Sequence, residues 1–162
     1  MKLKEKIIQK LNEHYQLNFQ LGIKYLSFSQ KASKAGLVNL SAYIKQLADD
    51  KLTIHKDKLF NYLLDQDACL DCMVESHKCD NLNQPKDIIK EILKLEEDVR
   101  VKINELSQIA ISENDYETFH FLTWFVNDGL KDFNEIKAIV KLFSLSDDIL
   151  SIDQAIKEII DK

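Results

Sequence analysis

The sequence predicts an all-α protein: a four-helix bundle with a long connection between its second and third helices and a short fifth helix at its end. Three observations carry this. Breakers are scarce, with one proline and three glycines in 162 residues, which suits long helices better than a β fold. Four long stretches repeat apolar residues every three or four positions. The joints between them run short, long, short; a short joint makes neighbouring helices antiparallel, and a long one lets them run parallel.

The first helix is expected over residues 3–32, where Ile7, Ile8, Leu11, Tyr15, Gly22, Tyr25 and Leu26 fall at helical spacing, and Gly36 in "SKAG" marks its stop. The second is expected over 39–65, capped by Asn39 or Ser41, with a stripe of Leu40, Ile44, Leu47, Ala48, Leu59 and Leu63. Residues 67–84 show no helical period. Pro85 then opens the third helix, where its missing N–H costs nothing, and Ile89, Ile92, Val99, Ile103, Leu106 and Ala110 follow. "SENDY" at 112–116 is a turn. The fourth helix carries Leu122, Phe125, Ile136, Val140 and Phe143, and "SDDILSIDQAIKEIIDK" reads as an amphipathic tail helix. The whole chain, 1–162, reads as one domain, long enough to bury a core without staples.

A net charge of −5 does not favour nucleic acid or an anionic membrane as partner. The apolar runs are far shorter than a membrane span, and "MKLKEKIIQKLNEHY" has no apolar signal core. The expectation is a cytoplasmic protein.

The informative residues are the polar ones that break the apolar stripes. Asn18 lies on the inner face of helix one, His55 on or near that of helix two, Glu96 on that of helix three and Asp132 on that of helix four, with Asp128 at its margin. A buried carboxylate must be paired, protonated or metal-bound. Glu96, His55 and Asp132 come from three helices at similar heights, and carboxylate with imidazole suits iron, manganese or zinc. Edge positions with no ligand are the plainer reading. A third outcome is an inward-facing Lys51, whose ammonium would pair with Glu96 or Asp132 and replace a metal. His14 and His120 read as partly exposed helix residues.

Four stretches resemble bacterial ferritin: "KLNEHYQLNFQLGIKYL", "LFNYL", "KINEL" and "DYETFHFLTWFV". The resemblance covers nearly all of the chain. It implies the ferritin-like four-helix bundle, a homo-oligomeric cage of twenty-four subunits, and storage of iron oxidised from Fe(II) at a di-iron centre. The chain departs from that pattern at the centre itself. Glu96 stands where the family has its third-helix glutamate, but Asn18 replaces the first-helix glutamate. The second-helix pair should read glutamate, two residues, histidine. The segment "ADDKLTIHKDKLF" is one residue longer than usual, so the pair falls on Leu52 and His55 or on Lys51 and Ile54. Gly129 takes the fourth-helix ligand position, between the acids Asp128 and Asp132. The expectation is an altered centre that holds iron weakly and oxidises it slowly. The alternative is a ferritin-like shell, scaffold or stress protein without redox chemistry. Haem is not expected, because haem-binding ferritins use a helix-two methionine and the methionines here are Met1 and Met73. A DNA-protecting mini-ferritin is disfavoured by the fifth helix and the tail "KEIIDK".

The connection carries "CLDCMVESHKC", with Cys69, Cys72, His77 and Cys79. These read as unmodified surface thiols. A bound zinc or iron, or a redox pair, is the alternative.

Overall fold

The computed structural model describes residues 4–162; the expected first residue of helix one, Leu3, lies outside them, as does Met1. Helix α1 spans Glu5–Lys34. Then α2 (Val38–Asp50), a π-helical turn (Lys51–His55) and α3 (Lys56–Asp65) form one uninterrupted rod. An irregular strap over 66–84 leads to α4 (Pro85–Ser112), α5 (Tyr116–Leu145) and the short α6 (Ile149–Ile160). There is no strand among the described residues, and none of their helices is long and apolar enough to cross a membrane.

Side-chain packing gives the helix directions. One apolar cluster joins Leu21–Ala32 of α1, Leu40–Ala48 of α2, Ile88–Ile92 of α4 and Ile136–Phe143 of α5. A second joins Ile7 and Leu11, Leu59 and Leu63, Ile103 and Leu106, Leu122 and Phe125. The α2–α3 rod therefore runs parallel to α4, with α1 and α5 antiparallel to both. This is the arrangement expected from the long middle connection. Every residue of the expected helix-two stripe is buried. Ile152 and Ile156 seat α6 on the first cluster.

Two helix ends show local chemistry overruling the sequence expectation or supplying it. Gly36 stops α1 as expected: it adopts φ +86°, and Leu37 N–H donates to Ala32 O at 3.0 Å and Gly36 N–H to Ser33 O at 3.0 Å, the paired C-terminal bonds that favour glycine. The start of α2 is different. Neither Asn39 nor Ser41 caps it; the carboxylate of Asp153, from α6, accepts from Asn39 N–H at 3.0 Å and from Leu40 N–H at 2.9 Å. The orphan amides of one helix are capped from another, which anchors the tail.

Candidate metal centre

Between the two apolar clusters lies a polar layer built from one residue or more of each long helix. Asn18, Lys51, His55 and Glu96 are all buried there, and Asp132 is partly covered. The rod enters this layer as a π turn. A π turn holds one more residue than an α turn, which fits the one-residue excess that the resemblance to bacterial ferritin implies for "ADDKLTIHKDKLF". Neither single register therefore applies. Lys51 and His55 both point inward, at 2% and 7% exposure, while Ile54 is 46% exposed. Leu52 instead lies across α1, where a Cβ on Gly22 would come within 2.5 Å of its Cγ. Gly22 is needed for this close approach, not for its backbone freedom.

The π turn places a cation against the buried carboxylate of α4. Lys51 Nζ lies 3.0 Å from Glu96 Oε1, with both side chains essentially inaccessible. Tyr25 O–H donates to the same oxygen at 2.7 Å. Burial, then the Glu96 charge, pushes the Tyr25 hydroxyl well above its usual range, which keeps it a donor. Beside this pair, His55 Nε2 meets Asp128 Oδ2 at 3.0 Å, and the His55 ring packs edge-on against Trp124 and Phe125. Burial alone would raise the Asp128 carboxyl. The hydrogen bond and charge of His55, with Lys51 and Lys131, outweigh it and hold the group below its usual range. Among the described residues Asp132 has no such partner. Burial, then the charges of Asp128 and Glu96, raises it to about 7, against the pull of Lys51.

Two residues depart from their sequence reading. Asn18 is buried as expected, but its Nδ2 turns back along its own helix and donates to His14 O at 2.8 Å. His14 was read as partly exposed; it is 5% exposed, and among the described residues its Nε2 has no hydrogen-bond partner. Burial, then the charges of Lys51 and His55, lowers its pKa to about 3, so it is a neutral imidazole. Its position four residues before Asn18 was the available signal, since the two share a helix face. His120, read as partly exposed, is exposed. A cavity of about 10 Å³, lined by His14, Lys51, His55, Glu96, Gly129 and Asp132 among others, is the size of one water. At Gly129 an added Cβ would meet only Arg100 Cγ, at 3.6 Å; no close approach demands glycine there.

These residues do not fit two ferrous ions. A di-iron centre needs carboxylates free to bridge and to neutralise two cations. Here Glu96 is taken by Lys51 and Asp128 by His55, Asn18 carries no charge, and Gly129 has no side chain. A dication 4 Å from an ammonium would be repelled by on the order of 8 kcal/mol at an effective dielectric of about 20. Among the described residues no three His, Cys, Asp or Glu side chains are gathered as a metal would need. That holds for the connection too. Cys69 and Cys79 are exposed, Cys72 is half-buried and all three are free, while His77 Nε2 shares a hydrogen with Ser27 Oγ at 2.8 Å. The four do not converge, so a zinc or iron site there has no support.

The chain matches the ferritin-like domain family over residues 8–146. It is 32% identical over 156 residues to an uncharacterized protein of Ureaplasma urealyticum, covering 96% of this chain and 91% of that one. A second uncharacterized protein, of Ureaplasma parvum serovar 3, is 33% identical over 155 residues, covering 95% and 91%. The bacterial non-heme ferritin of Escherichia coli O6:H1 is 28% identical over 144 residues, covering 89% and 87%. Bundle topology and these matches lead to one conclusion: the chain belongs to the ferritin-like family.

Proposed function

We propose that this chain is an iron-storage shell subunit whose internal di-iron centre has been replaced by an ion pair, so that it oxidises Fe(II) slowly. The observation that carries this is the buried Lys51–Glu96 contact at 3.0 Å. An ammonium supplies, within the protein, the positive charge that iron supplies in an ordinary ferritin, and it excludes a second cation from the same carboxylate. Iron here is substrate and cargo. What remains for it inside the subunit is the partly covered margin of the layer, where Asp132, Asp128 and His55 offer at most a weak site for one Fe(II). Glu96 contributes only if Lys51 withdraws, and Asn18 contributes nothing. The shell is a homo-oligomer, for which the reading is twenty-four subunits in the cytoplasm. The amphipathic α6, fixed by Asp153 and leaving Ile149 and Leu150 exposed, supports assembly through the tail.

The test is oxygen consumption after mixing iron-free protein with two Fe(II) per subunit. Losing metal ligands costs ten-fold or more even outside the inner shell, so the expected rate is at least ten-fold below an ordinary bacterial ferritin. Light scattering of the same sample is expected to show a large closed assembly. Rapid uptake of oxygen at two irons per subunit, or a stable monomer, would overturn the reading.

A further inference from the structure

The strap over 66–84 is laid along the outer side of α1 and tied to it by polar side chains at intervals of the helix. Asn12 Nδ2 donates to Cys69 O at 3.3 Å, and Asp71 N–H donates to Asn12 Oδ1 at 2.8 Å. Met73 N–H donates to Gln16 Oε1 at 2.9 Å. Ser27 holds His77, and Lys31 donates to the carbonyls of Asp80 and Leu82. Apolar anchoring is nearly absent: from Cys69 to Cys79 every residue is exposed or half-buried, with Met73 and Val74 67% and 72% exposed. Asn12 and Gln16 are about 6 Å apart along the helix axis. The strap covers that interval with Asp71 to Met73, about 7 Å when fully extended. Alternate residues Cys69, Asp71 and Met73 turn a backbone group toward α1, the pattern of an extended chain, and Cys69 and Cys72 lie within that section.

We propose that this section is a thiol redox switch, in which a peroxide joins Cys69 to Cys72 and the closing disulfide pulls residues 69–73 off α1. In a straight strap residues three apart are about 10 Å apart at Cα, whereas a disulfide needs roughly 4.4–6.8 Å. The bond therefore cannot form while Asn12 holds both Cys69 O and Asp71 N–H. Cys79 is not the partner, because the Ser27–His77 and Lys31–Asp80 tethers keep it some four helical turns further along α1. The reaction balances with the peroxide as oxidant. One thiolate attacks a peroxide oxygen, the O–O bond breaks, and a sulfenic acid forms with release of hydroxide. The second thiolate attacks that sulfur and displaces a second hydroxide. The two thiol protons convert both hydroxides to water. Two thiols and one hydrogen peroxide thus give one disulfide and two waters. Cys69 opens onto a groove between α1 and the strap, lined by Gln9, Asn12 and Gln16, which a molecule as small as hydrogen peroxide enters.

The experiment treats the iron-free, full-length protein with a few equivalents of hydrogen peroxide. Peptide mass mapping and amide hydrogen exchange follow. The expected result is a Cys69–Cys72 cross-link with loss of two hydrogens. Exchange at the Asp71 and Met73 amides rises at least ten-fold, α1 is unchanged, and dithiothreitol restores the start. Cys72→Ser is expected to abolish both changes and leave the resting exchange as it was. A cross-link with unchanged exchange overturns the proposal, as do thiols that stay reduced or pair between subunits. The same exchange increase in Cys72→Ser does so too.

Discussion

The polar layer and the strap both use α1 as a wall, and both are held by polar contacts, yet they differ in what those contacts are worth. Inside, Lys51 and Glu96 make an ion pair and His55 a hydrogen bond to Asp128, cut off wholly or partly from water. Outside, Asn12, Gln16 and Ser27 make neutral hydrogen bonds to an exposed chain. A buried charge stripped of its partner is strongly penalised, whereas an exposed hydrogen bond exchanges readily for one to water. The paired charges of the layer resist rearrangement, whereas the strap's contacts exchange readily with water.

The largest effect expected is at the ion pair. Lys51→Ala leaves Glu96 buried without its cation and is predicted to cost about 3–5 kcal/mol, read from denaturant unfolding. Lys51→Met combined with Glu96→Gln keeps an acceptor for Tyr25 and removes both charges, so its cost should fall well below that of the single change. If the two variants are equally destabilised, the charge pairing is not what holds the layer.

Acidity probes the same layer through two groups of opposite sign. The native pKa of Asp132 is raised to about 7 from 3.8. Its stabilisation is therefore full below about pH 4 and lost as pH rises through 7. The native pKa of His14 is lowered to about 3 from 6.5. Its stabilisation is present above pH 6.5 and lost as pH falls. Near pH 5 the two offset each other. Asp132→Asn should therefore lose about 2 kcal/mol relative to the wild type's own change between pH 7.5 and 5, and His14→Leu should gain about as much. Parallel pH profiles in all three proteins would show that neither group titrates as placed.

Two glycines divide on geometry. Gly22→Ala must push against Leu52 at 2.5 Å, an overpacking expected to cost about 1–3 kcal/mol. Gly129→Ala meets only ordinary contact at 3.6 Å and should gain up to about 1 kcal/mol of helix propensity. Thermal unfolding of both variants checks the contrast. The smallest effect belongs to the strap: Asn12→Ala is expected to change global stability by less than about 1 kcal/mol while raising amide exchange at Asp71.

How much of this the sequence disclosed depends on which physics decided each feature. Helix spans and stripes were legible because burial follows the 3.6-residue period: Leu40, Ile44, Leu59, Leu63, Ile103 and Phe125 are all inside as expected. Glu96 was legible for the same reason. The register of Lys51 and His55 was not, because period counting assumes an α-helix and a π turn breaks the count at one place. The one-residue excess in that segment was the visible trace. His14 was missed since a single histidine carries no period of its own. The Asp153 cap was out of reach of local reading, because its two donors lie more than a hundred residues away.

On the function proposed above, Lys51 already occupies the place of a metal at Glu96. Anaerobic calorimetric titration of Fe(II) into the iron-free wild type and into Glu96→Gln tests it most directly. No tight two-per-subunit site is expected in either protein, and the same weak binding in both, since Glu96 serves Lys51. Tight binding of two Fe(II) per subunit in the wild type, lost in Glu96→Gln, would contradict it.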